Sequence, residues 1–125
     1  MAGVVLIEVL VAMLIFMFGV LGIVGLQASV TRAQTDSKVR ADASYLAGDM
    51  LGRLWSDRKH LGNYDSAHCS ATAFCKDWQD KVAASLPNGG SVVSIDTASG
   101  NVTIAISWTG PDGQLHQYVT NTTIV

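Results

Sequence analysis

The sequence predicts an α+β protein in which one long N-terminal helix precedes a small antiparallel β-sheet. Two observations predict this class. The first is an apolar run near the N-terminus that continues into an amphipathic pattern, with no proline before Pro87. The second is the alternation of apolar and polar residues in the last third of the chain, with turn-forming residues between the alternating segments.

The first half of the predicted helix has the length and composition of a membrane span. Residues 9–26 are apolar without interruption, and residues 4–26 contain one charged residue, Glu8. A helix over residues 4–26 covers roughly 34 Å, which exceeds a hydrocarbon core of ~30 Å. A secretory signal peptide has a basic start, a shorter apolar stretch and a small-residue cleavage site, and none of these fits well. We therefore expect a transmembrane helix that remains in the mature protein.

The second half of the helix, residues 27–59, is predicted to be amphipathic. Its basic residues Arg53, Arg58 and Lys59 lie near the predicted end, where cations suit the helix dipole. Apolar residues recur at intervals of three and four along one stripe: Val39, Ala43, Leu46, Met50 and Leu54. We expect this stripe to hold the sheet.

Residues 60–125 are predicted to form a globular head. A loop over residues 60–75 leads to a short helix, Asp77–Leu86, which ends at Pro87. Three antiparallel strands follow, at residues 91–97, 101–108 and 114–124. One face of the central strand is apolar and should meet the helix stripe: Val102, Ile104, Ile106 and Trp108.

The chain has an even number of cysteines, Cys69 and Cys75, and the two are closely spaced. They favour a disulfide in an oxidising compartment. A zinc site with His68 as a third ligand is the alternative, but this spacing matches none of the usual zinc motifs. The disulfide is the preferred interpretation.

Composition and motifs speak against several classes of function. The net charge of −2 gives no basic balance of the kind that nucleic-acid partners require, so we expect no nucleic acid. There is no G-x-S-x-G motif, P-loop or dinucleotide fingerprint, and the three histidines are scattered. We expect no enzyme activity, no catalytic residues, no metal and no cofactor.

Glu8 is the one charged residue in the apolar run. A carboxylate within a membrane costs at least ~2–3 kcal/mol unless it has a partner, and it marks a functional site by default. One interpretation is that Glu8 lies near the interface and is hydrated. The other is that it meets a counter-charge, for which a backbone amine released by cleavage after Gly3 is the nearest candidate.

The stretch G-V-V-L-I-E-V-L-V-A, residues 3–12, resembles the class III signal of type IV pilins and pseudopilins. In that family a prepilin peptidase cleaves after the glycine, here Gly3, and the new terminus, here Val4, is N-methylated. The glutamate that matches Glu8 pairs with a terminal amine in the growing filament. Residues 1–3 would be the leader, and because they lack basic residues we expect the natural start to lie upstream.

Two further stretches resemble PilV-type minor pilins: A-D-A-S-Y-L-A-G-D-M-L-G-R-L-W, residues 41–55, and D-W-Q-D-K-V-A-A-S-L-P-N-G-G, residues 77–90. The resemblance implies the type IV pilin fold and a single-pass inner-membrane protein whose head lies in the periplasm before the subunit enters the pilus, at its tip. It also implies a priming complex that initiates assembly and supports twitching motility and adhesion.

The partners implied by the resemblance are other minor pilins, the major pilin, the prepilin peptidase, the inner membrane and the pilus assembly platform. Two alternatives remain open. One is a minor pseudopilin of a type II secretion system, which has the same chemistry in a different machine. The other is a membrane-tethered periplasmic binding domain or enzyme, in which Glu8 is incidental.

Overall fold

The computed structural model describes residues 1–125, which form two α-helices and three β-strands. Contacts divide the chain into two compact units, Met1–Thr35 and Asp36–Val125. The elements, in chain order, are α1 (Ala2–Ser56), 3₁₀ segments at Arg58–Tyr64 and Cys69–Ala71, α2 (Ala73–Ser85), β1 (Gly90–Asp96), β2 (Asn101–Thr109) and β3 (Leu115–Thr123). The chain is therefore α+β, with a long apolar N-terminal helix and an antiparallel sheet, as predicted.

The first unit consists of the N-terminal part of α1, and all its side chains are exposed. The most apolar 18-residue stretch of the helix has a mean hydropathy of 2.9 and is 0% buried within the chain. By length and composition, α1 can cross a membrane.

The second unit is built around a core to which α1, α2 and the sheet all contribute. The predicted stripe on α1 is buried from Ala43 to Leu54, and the apolar face of β2 is buried beside it. Trp78 of α2 donates a hydrogen bond from Nε1 to the Leu46 carbonyl over 2.8 Å, which satisfies its one polar atom inside the core. The largest fully buried side chains are Trp78, Trp108, Tyr64, Leu46, Met50, Leu54, Ile104 and Ile106.

The sheet is antiparallel with the order β1-β2-β3, so β2 is central and the other two strands are its edges. Val93 lies opposite Ile104, and Ile106 lies opposite Tyr118. The β1–β2 turn requires Gly100, whose φ of 75° is left-handed and whose position leaves no room for a Cβ beside the Ile124 carbonyl. This register places the alternating apolar residues of β2 on the face that packs in the core.

Several boundaries differ from those the sequence predicts. Helix α1 ends at Ser56, so Arg58 and Lys59 lie in a 3₁₀ segment and Arg53 is the basic residue of the last turn. Helix α2 begins at Ala73 because Cys75 shares the buried face of Trp78, at i and i+3. The segment predicted as a loop thus contains two 3₁₀ turns and the first turn of α2.

Candidate functional site

The residues that the pilin resemblance singles out lie together at the start of α1. Gly3, Val4 and Glu8 all have helical conformation, and all three are exposed. Val4 and Glu8 are spaced i, i+4 and therefore lie on one face, one turn apart. A Cβ placed on Gly3 would meet no atom within 4 Å, so nothing in the chain covers this stretch of backbone.

Glu8 has no partner within the chain. None of the ion pairs or side-chain hydrogen bonds involves its carboxylate, and the residues around it are apolar and exposed. Charges that satisfy it must come from outside the folded chain, or from an amine newly made within its own first turn. The geometry thus allows both the interfacial interpretation and the counter-charge interpretation.

Cys69 and Cys75 form a disulfide, with their Cα atoms 5.1 Å apart. Cys69 lies in a 3₁₀ turn and Cys75 in the first turn of α2, and both are buried. Because the two sulfur atoms are bonded to each other, they cannot act as thiolate ligands. The zinc alternative with His68 is therefore excluded in this state of the protein.

A polar cluster that the sequence did not reveal joins the end of α1 to the 3₁₀ segment that follows. The Asp57 carboxylate contacts His60 Nδ1 at 2.7 Å and accepts a hydrogen bond from the Tyr64 hydroxyl at 2.8 Å. Arg53 Nε donates to the same hydroxyl at 3.2 Å, and its guanidinium lies 5.3 Å from the centre of the Phe74 ring. Tyr64 is buried, so its hydroxyl carries the cluster into the edge of the core.

Hydrogen bonding sets the protonation behaviour of this cluster. The bonds from His60 and then Tyr64 hold the pKa of Asp57 below its usual range. Burial raises the pKa of Tyr64, and its bond to the Asp57 carboxylate acts in the same direction. Both shifts favour a charged Asp57 and a neutral Tyr64 at neutral pH. This arrangement fixes the end of α1; it presents no nucleophile beside a base.

The open face of the sheet carries uncharged polar groups. Thr123 donates from Oγ1 to Asn101 Oδ1 over 2.8 Å across the β2–β3 pair. The depression at this point has a volume of about 400 Å³ and is lined by Asn101, Val102, Thr103, Asn121, Thr122 and Thr123. None of these side chains titrates near neutral pH, so the depression offers no acid–base chemistry. The chain contains no group of three or more His, Cys, Asp or Glu residues that could hold a metal ion.

The N-terminal residues could be selected from the sequence because they belong to one uninterrupted motif, residues 3–12. The Asp57 cluster gave no comparable signal, because its geometry depends on the 3₁₀ turn that brings His60 and Tyr64 back to one carboxylate. A comparison of the chain with protein-family models, with curated proteins and with solved structures finds no match.

Proposed function

We propose that the protein is a minor pilin of a type IV pilus, which initiates pilus assembly as part of a tip complex. It would be cleaved after Gly3, methylated at Val4, and held in register in the filament by Glu8. The observation that carries the proposal is the lone acid Glu8, five residues after Gly3 and without a partner in the chain, on a fully exposed apolar helix.

The division of α1 supports this proposal. Its apolar side chains point in all directions over residues 4–26, whereas a single stripe is buried from Ala43 onwards. A surface that is apolar on every side can contact lipid before assembly and the helices of neighbouring subunits after assembly. Such a segment can leave a bilayer for a helical bundle without exposing its apolar area to water. The disulfide-bonded head is suited to an oxidising compartment on the far side.

Glu8 would supply the register of that bundle. An unpaired carboxylate in an apolar bundle costs at least ~2–3 kcal/mol, and an amine at the correct height offsets part of that cost. Cleavage after Gly3 would create such an amine at Val4. Because Glu8 lies one turn from its own Val4, the amine of a neighbouring subunit and the chain's own amine compete for the same carboxylate.

The mature N-terminus tests the proposal directly. We expect mass spectrometry of the chain, expressed together with an active prepilin peptidase, to find a protein that begins at Val4 and carries one added methyl group. The variant Gly3→Leu should remain uncleaved. Gly19→Leu is the matched control, because neither glycine has a neighbour within 4 Å, and it should be processed normally.

An unmethylated protein that keeps the residues before Val4 in the presence of active peptidase would contradict the proposal. That result would favour a tethered periplasmic domain instead. Processing without recovery in pili would favour the pseudopilin alternative.

Glu8→Ala tests the role of the carboxylate separately. We expect the variant to insert into the membrane normally, because the substitution removes the one charge of the span. Its incorporation into pili should fall, because the charge that fixes its height in the bundle is lost. Immunoblots of membranes and of sheared pili measure the two steps. Normal piliation with Glu8→Ala as the sole copy would contradict this role.

A further inference from the structure

The two edges of the sheet differ in whether another segment of the chain hydrogen-bonds to them. The edge of β1 is covered by the segment that follows the first 3₁₀ turn. Ser66 Oγ accepts from Val93 N at 2.7 Å, Ser66 N donates to the Val93 carbonyl at 2.9 Å, and Asp65 Oδ2 accepts from Ile95 N at 3.1 Å. Strand β3 pairs with β2 alone, and no other segment bonds to its far side.

The register identifies which backbone groups of β3 are open. Ile124 N donates to the Gly100 carbonyl and the Gln114 carbonyl accepts from Gly110 N, so the even-numbered residues of β3 bond to β2. The odd-numbered residues direct their N–H and C=O groups away from the sheet: Leu115, Gln117, Val119, Asn121 and Thr123. All five are exposed.

Strand β3 also lacks the features by which proteins protect an edge. Residues 115–123 contain no Lys, Arg, Asp, Glu or Pro, and their pairing with β2 runs without a bulge. Leu115 is 74% exposed and Val119 is 49% exposed, so apolar side chains stand beside the open backbone groups. A long, uncharged and unprotected edge of this kind is a template for another strand.

Two copies of this chain are poor partners for one another here. The β1 edge cannot accept the β3 strand of another copy, because Asp65 and Ser66 occupy it. Antiparallel pairing of β3 with β3 uses a two-fold axis perpendicular to the sheet. Since α1 packs along the sheet face from Ala43 to Leu54, this axis would make the two helices antiparallel. The Asp36 ends of the two packed helix segments would then lie at opposite ends of the pair, whereas two copies that continue from Asp36 into one membrane need these ends on the same side.

We propose that the open edge of β3 binds an extended segment of a different protein by strand addition. The partner segment would carry no charged residues at its pairing positions, because no opposite charge on β3 compensates them. It would place apolar side chains next to Leu115 and Val119 and uncharged polar ones next to Gln117 and Asn121. This inference depends on the sheet and holds for a subunit of any assembly.

The test uses the ¹⁵N-labelled full chain in detergent micelles, with a synthetic peptide of residues 115–123 as an uncharged strand that carries no helix. We expect an excess of peptide to slow hydrogen exchange of the Gln117, Val119 and Asn121 amides by about tenfold or more. The same peptide with Lys in place of Val119 should give no protection.

Val119→Pro in the labelled chain removes an outward N–H and leaves the bonds to β2 intact, so it should abolish the protection. Val119→Lys is a second variant, which keeps the backbone donor and places a charge at the edge. Val92→Lys is the matched control: Val92 and Val119 flank Ala105 in one cross-strand row, and Val92 lies on the covered edge strand. Protection should survive in Val92→Lys.

Three results would overturn the proposal. They are absence of protection at any peptide concentration, equal protection in Val119→Pro, and protection of the same amides by the chain alone as its concentration rises. The last would assign the edge to a second copy.

Discussion

The two parts of α1 differ in where their apolar surface finds a partner. Over residues 4–26 the side chains are apolar on all sides and exposed, with Leu21 at 73%. Over residues 43–54 the apolar residues form a stripe that is covered by α2 and the sheet, with Leu54 at 0%. Both segments are α-helical, but the chain itself buries the apolar side chains of residues 43–54 and leaves those of residues 4–26 exposed.

This difference shows that the distribution of apolar side chains around a helix, and not its backbone geometry, determines which surroundings the helix needs. A stripe about 100° wide specifies one partner surface, and the chain supplies that surface itself. A helix that is apolar all round specifies only an apolar environment, which lipid or other helices can provide. Substitutions in the two segments should therefore have unequal effects on the stability of the head.

The largest effect is expected from Leu54→Ala. The substitution removes a fully buried side chain, and the lost transfer energy and the cavity should together lower the free energy of unfolding by about 2–5 kcal/mol. Urea unfolding of the detergent-solubilised chain, followed by tryptophan fluorescence, measures the loss.

Leu21→Ala is its matched control on the same helix. Because the Leu21 side chain is exposed, the urea midpoint should stay within the error of the wild-type value. A loss comparable to that of Leu54→Ala would show that the apolar segment has a partner within the chain after all, and the contrast between the two segments would fail.

The disulfide should give the next largest effect, again confined to the head. Replacing both Cys69 and Cys75 by Ala removes a cross-link between residues six positions apart. The chain-entropy model gives a loss of about 2 kcal/mol in the free energy of unfolding. Unfolding in urea measures this loss against the oxidised wild type, and reduced wild-type protein should lose about as much stability as the double variant. The helix content of the whole chain, most of which is α1, should not change in circular dichroism. Equal stability of oxidised wild type and the double variant would contradict a stabilising role.

Local pattern was sufficient to predict much of this architecture. The stripe from Ala43 to Leu54, the alternation in β2 and the cysteine pair each depend on spacing along the chain, and each is present in the structure. The covering of the β1 edge by Asp65 and Ser66 could not be predicted, because it joins residues that are distant in sequence. Such contacts follow from tertiary packing and leave no periodic trace.

The same limit applies to the sites. Gly3, Val4 and Glu8 lie within one contiguous motif, residues 3–12, so the sequence alone was sufficient to select them. Their roles stay predictions. The Asp57 cluster needed a 3₁₀ turn, and the early start of α2 needed the burial of Cys75. Both depend on how the segment after α1 folds back on the core, which propensity does not determine.

The smallest effect is expected where the covered segment of α1 ends, at Asp57. Its pKa is lowered in the folded protein, chiefly by the bond with His60, so its contribution to stability is present above the unfolded value, near pH 4. It should be lost as pH falls through the folded pKa. Asp57→Asn should therefore lower the urea midpoint at pH 7, and the difference from wild type should vanish at acidic pH.

The control for Asp57→Asn is Asp77→Asn on α2, since the Asp77 carboxylate is exposed and makes no hydrogen bond within the chain. Its urea midpoint at pH 7 should match that of the wild type. The Asp57 hydrogen bonds fix only the last turn of α1 and the 3₁₀ turn after it. Amide hydrogen exchange at Tyr64 should therefore become faster in Asp57→Asn. Amide hydrogen exchange in residues 4–26 should stay unchanged. A difference between Asp57→Asn and wild type that persisted below the folded pKa would mean that the side chain acts through packing, and not through its charge.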